Sequence, residues 1–144
     1  MNSESASSEP SVLLALQRAT HATLHLLTAE LAELDLTAAE INVLGNLADG
    51  RARTVSRLGA AVGSRPTTLT SVLDRLERRG HITRARRAGD RRAVHVELTA
   101  SGRAAAARIR RTLADLEDRA LDGLPAGAVA GFHAVLDRLT EDRT

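Results

Sequence analysis

The chain has 144 residues, 43% of them hydrophobic and 26% charged, with a formal net charge of +2 at neutral pH. That length suits one domain with its own core, but the core must be aliphatic, because Phe132 is the only residue among Phe, Trp and Tyr. So few aromatics argue against a surface that stacks the bases of single-stranded DNA or RNA, and the lack of cysteine excludes disulfides and thiol chemistry.

Residues 1–10 are rich in Ser and Glu without periodicity and read as a disordered tail. The apolar run Val12 to Leu16 is short, and Glu4 and Glu9 precede it where a signal peptide would be basic. Nothing reaches a membrane-spanning length, so the expected location is cytoplasmic. From Ser11, a capping residue, apolar positions recur at helical spacing through Val12, Leu13, Leu16, Ala19, Leu24, Leu27, Leu31 and Leu34. Thr37-Ala38-Ala39-Glu40 is a capping box, and Ile41, Leu44, Leu47 and Ala48 form the apolar face of the helix behind it. Asp49-Gly50 ends that helix.

Thr54 opens a short helix with Val55, Leu58, Ala61 and Val62 inward, and Gly63-Ser64 makes a turn. Pro66 suits the first turn of the next helix, where a missing N–H costs little. That helix buries Leu69, Val72, Leu73 and Leu76 and stops at Gly80. Two helices joined by a tight Gly-containing turn form a helix-turn-helix. The period then changes from 3.6 to 2. Residues 81–87 give one strand anchored by Ile82, Ala88-Gly89-Asp90 a turn, and residues 93–98 a second strand alternating through Val94, Val96 and Leu98. Thr99 caps a long helix over 100–121 with Ile109, Leu113, Leu116 and Ala120 on one side. Gly123 and Pro125 break it, and a last helix over 126–140 carries Val129, Phe132, Val135, Leu136 and Leu139. The expected fold is mainly α with a small β-hairpin wing, a winged helix-turn-helix.

The small net charge hides a sharp division. Between Arg51 and Arg92 stand twelve arginines against three acids, Asp74, Glu77 and Asp90, while the remainder holds eight arginines and fifteen acids. An uneven distribution of this kind is what a phosphate-binding face requires and points to double-stranded DNA. On a helical projection of residues 65–79, Thr67, Ser71, Asp74 and Arg78 lie opposite the buried leucines, with Thr68 and Arg75 at the flank. Small hydroxyls let a helix enter a groove closely, and Arg forks onto guanine. Arg65, Thr67, Thr68, Ser71 and Arg75 are therefore expected in the major groove. The hairpin tip, Arg86-Arg87-Ala88-Gly89-Asp90-Arg91-Arg92, suits the minor groove, where Arg is drawn by negative potential. Asp90, Arg91 and Arg92 complete the expected DNA-binding set, with Asp90 orienting a neighbouring arginine, Arg92, rather than touching DNA.

The order of elements resembles the MarR (multiple antibiotic resistance regulator) family. The run Leu73-Asp74-Arg75-Leu76-Glu77-Arg78-Arg79-Gly80 is similar to that family's end of the recognition helix. Asp90-Arg91-Arg92-Ala93, then Val94, Val96, Leu98-Thr99 and Gly102, resembles its D-x-R wing motif and the L-T-x-x-G after it. The likeness spans residues 11–140. It implies one domain over 11–144, with the winged helix-turn-helix at 35–99 and dimerisation helices at 11–34 and 100–140. It also implies a homodimeric regulator, usually a repressor, whose wing arginine, Arg92 here, enters the minor groove and whose DNA binding small ligands often relieve. Arg65-Pro66 departs from the family, which often carries Asp-Ser at that point, and implies a different base preference. The apolar faces of the terminal helices lie outside the basic block, and a twofold dimer would place two recognition helices one DNA turn apart on a palindrome.

His21 and His25 share one helical face, four residues apart. That spacing can serve a metal, but no H-E-x-x-H pattern or cysteine accompanies it. An effector pocket, which in the family lies between the dimer helices and the DNA-binding lobe, is another use, and an ordinary helix position the commonest. His133, on the last helix, is a further candidate for the same region; His81 and His95 read as structural. No metal, no cofactor and no enzyme motif is expected, since P-loop, nucleophile-elbow and dinucleotide patterns are all missing. The expected partners are double-stranded DNA, a second copy of the chain and a small-molecule effector of unspecified identity. A winged-helix architectural or protein-interaction module without a fixed operator is the competing reading.

Overall fold

Local capping sets where each helix starts. The computed structural model describes residues 9–141, so most of the tail expected at 1–10 lies outside the described residues. Helix α1 (Val12–Glu30) begins where the Ser11 hydroxyl accepts the Leu14 N–H at 3.4 Å. It ends at Glu30, short of Leu34, and a 3-10 turn at Ala32–Leu34 follows, closed by Asp35 in the left-handed region. Leu27 and Leu31 are buried, whereas Val12 and Leu13, expected on the inner face, are exposed.

Helix α2 (Ala38–Asn46) starts with the complete capping box. The Thr37 hydroxyl accepts the Glu40 N–H, and the Glu40 carboxylate accepts the Thr37 N–H, each at 3.2 Å. These two bonds satisfy donors that a helix start otherwise leaves open. Strand β1 (Arg53–Thr54), which two residues are too few to announce, pairs antiparallel with β3 (Asp90–Leu98). Thr54 also caps helix α3 (Val55–Val62) by accepting the Arg57 N–H. Within α3, Leu58 is buried as expected, but Ala61 is exposed. Gly63, at φ +69°, turns the chain into helix α4 (Pro66–Arg78), a conformation an L side chain would resist.

α4 places Leu69, Val72, Leu73 and Leu76 in the core. Each fully buried aliphatic chain contributes about 1.5–3 kcal/mol, so this one face fastens the helix to the scaffold. His81 N–H donates back to Leu76 O and Gly80 N–H to Glu77 O, which stops α4 and aims the chain into strand β2 (Ile82–Arg87). β2 and β3 form the wing, in sheet order β1-β3-β2, with Ile82 opposite Leu98 and a register shift between Arg86 and Arg87. The turn is Ala88-Gly89, so Asp90 already belongs to β3.

Thr99 caps helix α5 (Ala100–Leu121): its hydroxyl accepts the Gly102 N–H and donates to Gly80 O. Gly102 is required by space. A Cβ there would lie 1.9 Å from the His81 carbonyl oxygen. The chain divides into two compact units, one ending at Leu113 within α5 and the other starting at Ala114. The first holds the aliphatic core, joining Leu31, Leu44, Leu58, Leu73, Leu76, Ile82, Val96 and Ile109. The second holds the end of α5, where Ala120 is exposed rather than inward, and helix α6 (Ala128–Glu141). α6 begins two residues later than its pattern suggests and has no buried residue. Val129, Phe132 and Val135 are exposed there, and Leu136 and Leu139 half-buried.

Candidate nucleic-acid interface

Because α4 buries one face, the opposite face is fixed in space. Arg65, Thr67, Thr68, Ser71 and Arg75 are all exposed on it or at its N-terminal edge. The structure thus brings together every residue expected in the major groove. No hydrogen bond from these side chains occurs among the described residues, so their donors are available. Thr70, by contrast, turns its hydroxyl back onto Pro66 O at 2.9 Å, the local bond that Ser and Thr make in helices when nothing else competes.

Asp90, Arg91 and Arg92 are exposed at the wing tip. Asp90 does act on Arg92, but through the main chain: its carboxylate accepts the Arg92 N–H at 3.3 Å. That bond shapes the start of β3 and leaves the Arg92 guanidinium without an acidic partner among the described residues. Arg87 instead lies along the hairpin and pairs with Glu97 at 3.0 Å.

The twelve arginines of the basic block separate into two groups once their contacts are known. Arg53 is paired with Asp49 at 2.7 Å, Arg84 with Asp74 and Glu77, and Arg79 with Glu40 and the Leu34 and Asp35 carbonyls. These are braces. With Arg87 on Glu97 they make four, and the other eight, Arg51, Arg57, Arg65, Arg75, Arg78, Arg86, Arg91 and Arg92, have no acidic side-chain partner among the described residues, Arg78 donating only to the Asp74 carbonyl. Arg57 on α3 and Arg86 on β2 widen the basic surface beyond the expected set. Arg86 stands in the basic run of the wing tip, whereas the signal for Arg57 in the sequence is only the shared charge. The braces carry electrostatic signatures. The Arg51 N–H and then the Arg53 side chain hold the Asp49 carboxyl below its usual range, and Arg84 does the same to Glu77. Arg84 itself is raised, first by Glu77 and then by Asp74.

His21 and His25 are both exposed on α1, and His133 is exposed on α6 beside Phe132, ring centroids 6.3 Å apart. No group of three or more His, Asp or Glu placed to hold a metal occurs among the described residues. His81 is half-buried with Nδ1 3.0 Å from the Ser101 hydroxyl, and the buried Nδ1 of His95 has no hydrogen-bond partner among the described residues. No helix among the described residues is long and apolar enough to cross a membrane.

A helix-turn-helix that offers unpartnered arginines and hydroxyls from its second helix, followed by a basic antiparallel hairpin, defines a winged helix-turn-helix regulator that binds DNA. The family model for the MarR family matches residues 34–93. Among solved structures, the chain is 28% identical, with a TM-score of 0.71, to a mutant of MarR from E. coli complexed with operator DNA, covering 87% of this chain and 90% of that one. It is 25% identical, TM-score 0.73, to BpsR of Bordetella bronchiseptica, whose DNA binding is regulated by 6-hydroxynicotinic acid, over 90% and 98% of the two chains. NadR in complex with 4-hydroxyphenylacetate shares the fold at a TM-score of 0.82 and 22% identity, over 99% of each chain. No curated protein gives a significant sequence match. The segment 34–93 thus matches the MarR family, and the chain as a whole shares its fold with MarR-type transcription regulators of 25–28% identity.

Proposed function

We propose that this chain is a homodimeric repressor that binds a palindromic duplex operator through α4 and the wing, and that a small molecule relieves the binding. The observation that carries the DNA contact is the sorting of arginines. Arg53, Arg79, Arg84 and Arg87 are paired with acids of the scaffold, while Arg65 and Arg75 on α4 and Arg91 and Arg92 on the wing are exposed and lack acidic partners among the described residues. Thr67, Thr68 and Ser71 supply base-edge contacts between them, and Asp90 fixes the backbone from which Arg92 projects. A guanidinium left unpaired on a rigid helix is preorganised for phosphate or guanine.

The dimer is supported by apolar surface in each unit separately. Val12, Leu13, Leu14 and Leu26 are exposed on α1, and Val129, Phe132 and Val135 on α6. On α6 the three stand at i, i+3 and i+6 on one face, and exposed apolar side chains grouped in this way mark an interaction surface. In a twofold dimer the two α4 helices would engage successive major grooves about 34 Å apart. The ligand response is supported by the regulation of BpsR by 6-hydroxynicotinic acid. His21 and His25, one helical turn apart on exposed α1, are the candidate effector contacts.

Titration of a duplex selected by the protein from a randomised pool, against a scrambled duplex of equal length, tests the reading. A specificity ratio of about a thousand or more is expected for a regulator. A ratio near one would leave an architectural winged-helix module as the function.

A further inference from the structure

The groove-facing side of α4 carries acids as well as arginines. Asp74 lies beside Thr67, Ser71 and Arg78 on the helical projection, and Glu77 lies at the adjoining flank. Two bare carboxylates there would repel the phosphates that the neighbouring arginines attract. Arg84 on β2 reaches both. Its Nη2 donates to Asp74 Oδ1 at 2.6 Å and to Glu77 Oε1 at 3.3 Å, and its Nε donates to Glu77 Oε2 at 3.1 Å. The Arg84 side chain is 23% exposed, against 50% for Asp74 and 43% for Glu77. The cation therefore sits behind the two acids and faces them, with three of its N–H vectors already spent. No other cation pairs with either acid among the described residues.

Resting on the DNA-binding reading, we propose that Arg84 is a positioning residue for duplex binding: it neutralises Asp74 and Glu77 and draws them toward the wing. The face of α4 left to the duplex then carries Arg65, Arg75 and Arg78 with their charge unopposed. Arg84 does this without touching the duplex, so its contribution should vanish when the acids it masks are removed.

The probes are a duplex selected by the wild-type chain from a randomised pool and its scrambled counterpart. Arg84→Met, which keeps the alkyl stem, is expected to weaken binding to the selected duplex about tenfold at low salt, where two uncovered charges near phosphates are poorly screened. Adding Asp74→Asn and Glu77→Gln to that variant is expected to restore affinity to within about threefold of wild type, the change expected when only charge repulsion has been removed. A folded triple variant that stays as weak as Arg84→Met alone would overturn the proposal and make Arg84 a direct phosphate contact or a brace of the wing. Asp74→Asn with Glu77→Gln in the presence of Arg84 gives a check that does not depend on how Arg84 variants fold. Binding at least as tight as wild type supports masking, and weaker binding would overturn it by showing that the acids themselves contact bases. Failure of the wild-type chain to bind any duplex would overturn the DNA reading first, an outcome distinct from these.

Discussion

Arg79 and Glu40 meet at 3.6 Å, and the pair joins the last turn of the recognition helix to the first turn of α2. Glu40 is almost fully buried, and its Oε2 has no hydrogen bond, so the nearby guanidinium is the group that compensates its charge. The same guanidinium donates to the Leu34 and Asp35 carbonyls, at the end of the 3-10 turn that follows α1. One side chain thus ties together three segments that set where α4 points. Arg79→Ala would strand a buried carboxylate and two carbonyls, and we expect a loss of about 1–3 kcal/mol in denaturant unfolding. The Arg79 side chain is more than a third exposed, so the lower half of that range is the better expectation. Glu40→Gln added to Arg79→Ala should recover part of the loss. Full additivity of the two losses would show that the residues are not coupled.

A tighter constraint holds the start of α5 against the wing. The Cβ introduced by Gly102→Ala would collide with the backbone carbonyl of His81, which is also the acceptor of the Thr99 N–H. Backbone cannot rotate away as a side chain can. Overpacking of this kind costs about 1–3 kcal/mol, and here relief would require α5 or β2 to move. A melting temperature unchanged in Gly102→Ala would contradict this account. Gly45→Ala is the control, because its nearest neighbour, a methyl of Ile109, lies at ordinary contact distance of 3.6 Å.

His81 should make the fold acid-sensitive. Burial pushes its pKa below the usual histidine value; the nearby Arg79 adds to this and Glu40 opposes it. The folded chain therefore takes up the proton less readily than the unfolded chain, in which histidine titrates near pH 6.5. The unfolded state binds more protons below that pH, so stability is full above it and declines as the pH falls through the window beneath it. Denaturant midpoints measured between about pH 7 and pH 5.5 should fall in the wild type. His81→Gln removes the titrating ring and should flatten that slope. An identical slope in both proteins would assign the acid sensitivity to other groups.

The sequence made the local chemistry legible and left the long-range chemistry hidden. Capping at Ser11, Thr37, Thr54 and Thr99, and the four buried positions of α4, follow from spacing within a few residues. Residues 53–54 gave no alternation to count, and their strand forms only because β3 arrives some forty residues later. α1 stops early because Leu31 leaves the helical region at φ −106°, ψ 22°, and Asp35 enters the left-handed one, although the apolar spacing continues to Leu34. The arginines were harder still. As charges they form one block, yet Arg79 and Arg84 differ from Arg75 and Arg92 only through partners brought near by the fold. Asp74 and Glu77 on one side of α4 were the available hint that a cation from elsewhere would be drawn there.

The apolar faces of α1 and α6 predict how the protein assembles. Phe132 and Leu14 expose more than half of their surface in the single chain, which is costly unless a partner covers them. Removing residues 122–144 deletes the α6 face while keeping the winged helix-turn-helix. Sedimentation or light scattering should then report monomer or aggregate in place of dimer. A soluble dimer after that deletion would show that α6 is dispensable for assembly.

Arg75 and Arg92 should fail in different ways when removed. Both are exposed and neither has an acidic partner among the described residues, so replacing either with Ala leaves no buried charge stranded and should not change the melting temperature. Arg75 projects from the third turn of a rigid helix that Leu73 and Leu76 anchor, at the flank shared with Thr68 and away from the wing. If it forks onto guanine, Arg75→Ala should cost about 1–3 kcal/mol on the selected duplex and relax one position of the site. The scrambled duplex should notice far less. Arg92, exposed on the wing, is proposed to enter a narrow minor groove, where negative potential is read through width and charge. Arg92→Ala should therefore weaken binding, and its effect should follow the A·T content of the flanking minor groove rather than one base pair. Base-by-base competition with single-substituted duplexes separates the cases. A uniform loss from Arg75→Ala across all duplexes would make Arg75 a phosphate contact, and unchanged affinity for Arg92→Ala would remove the wing from the interface.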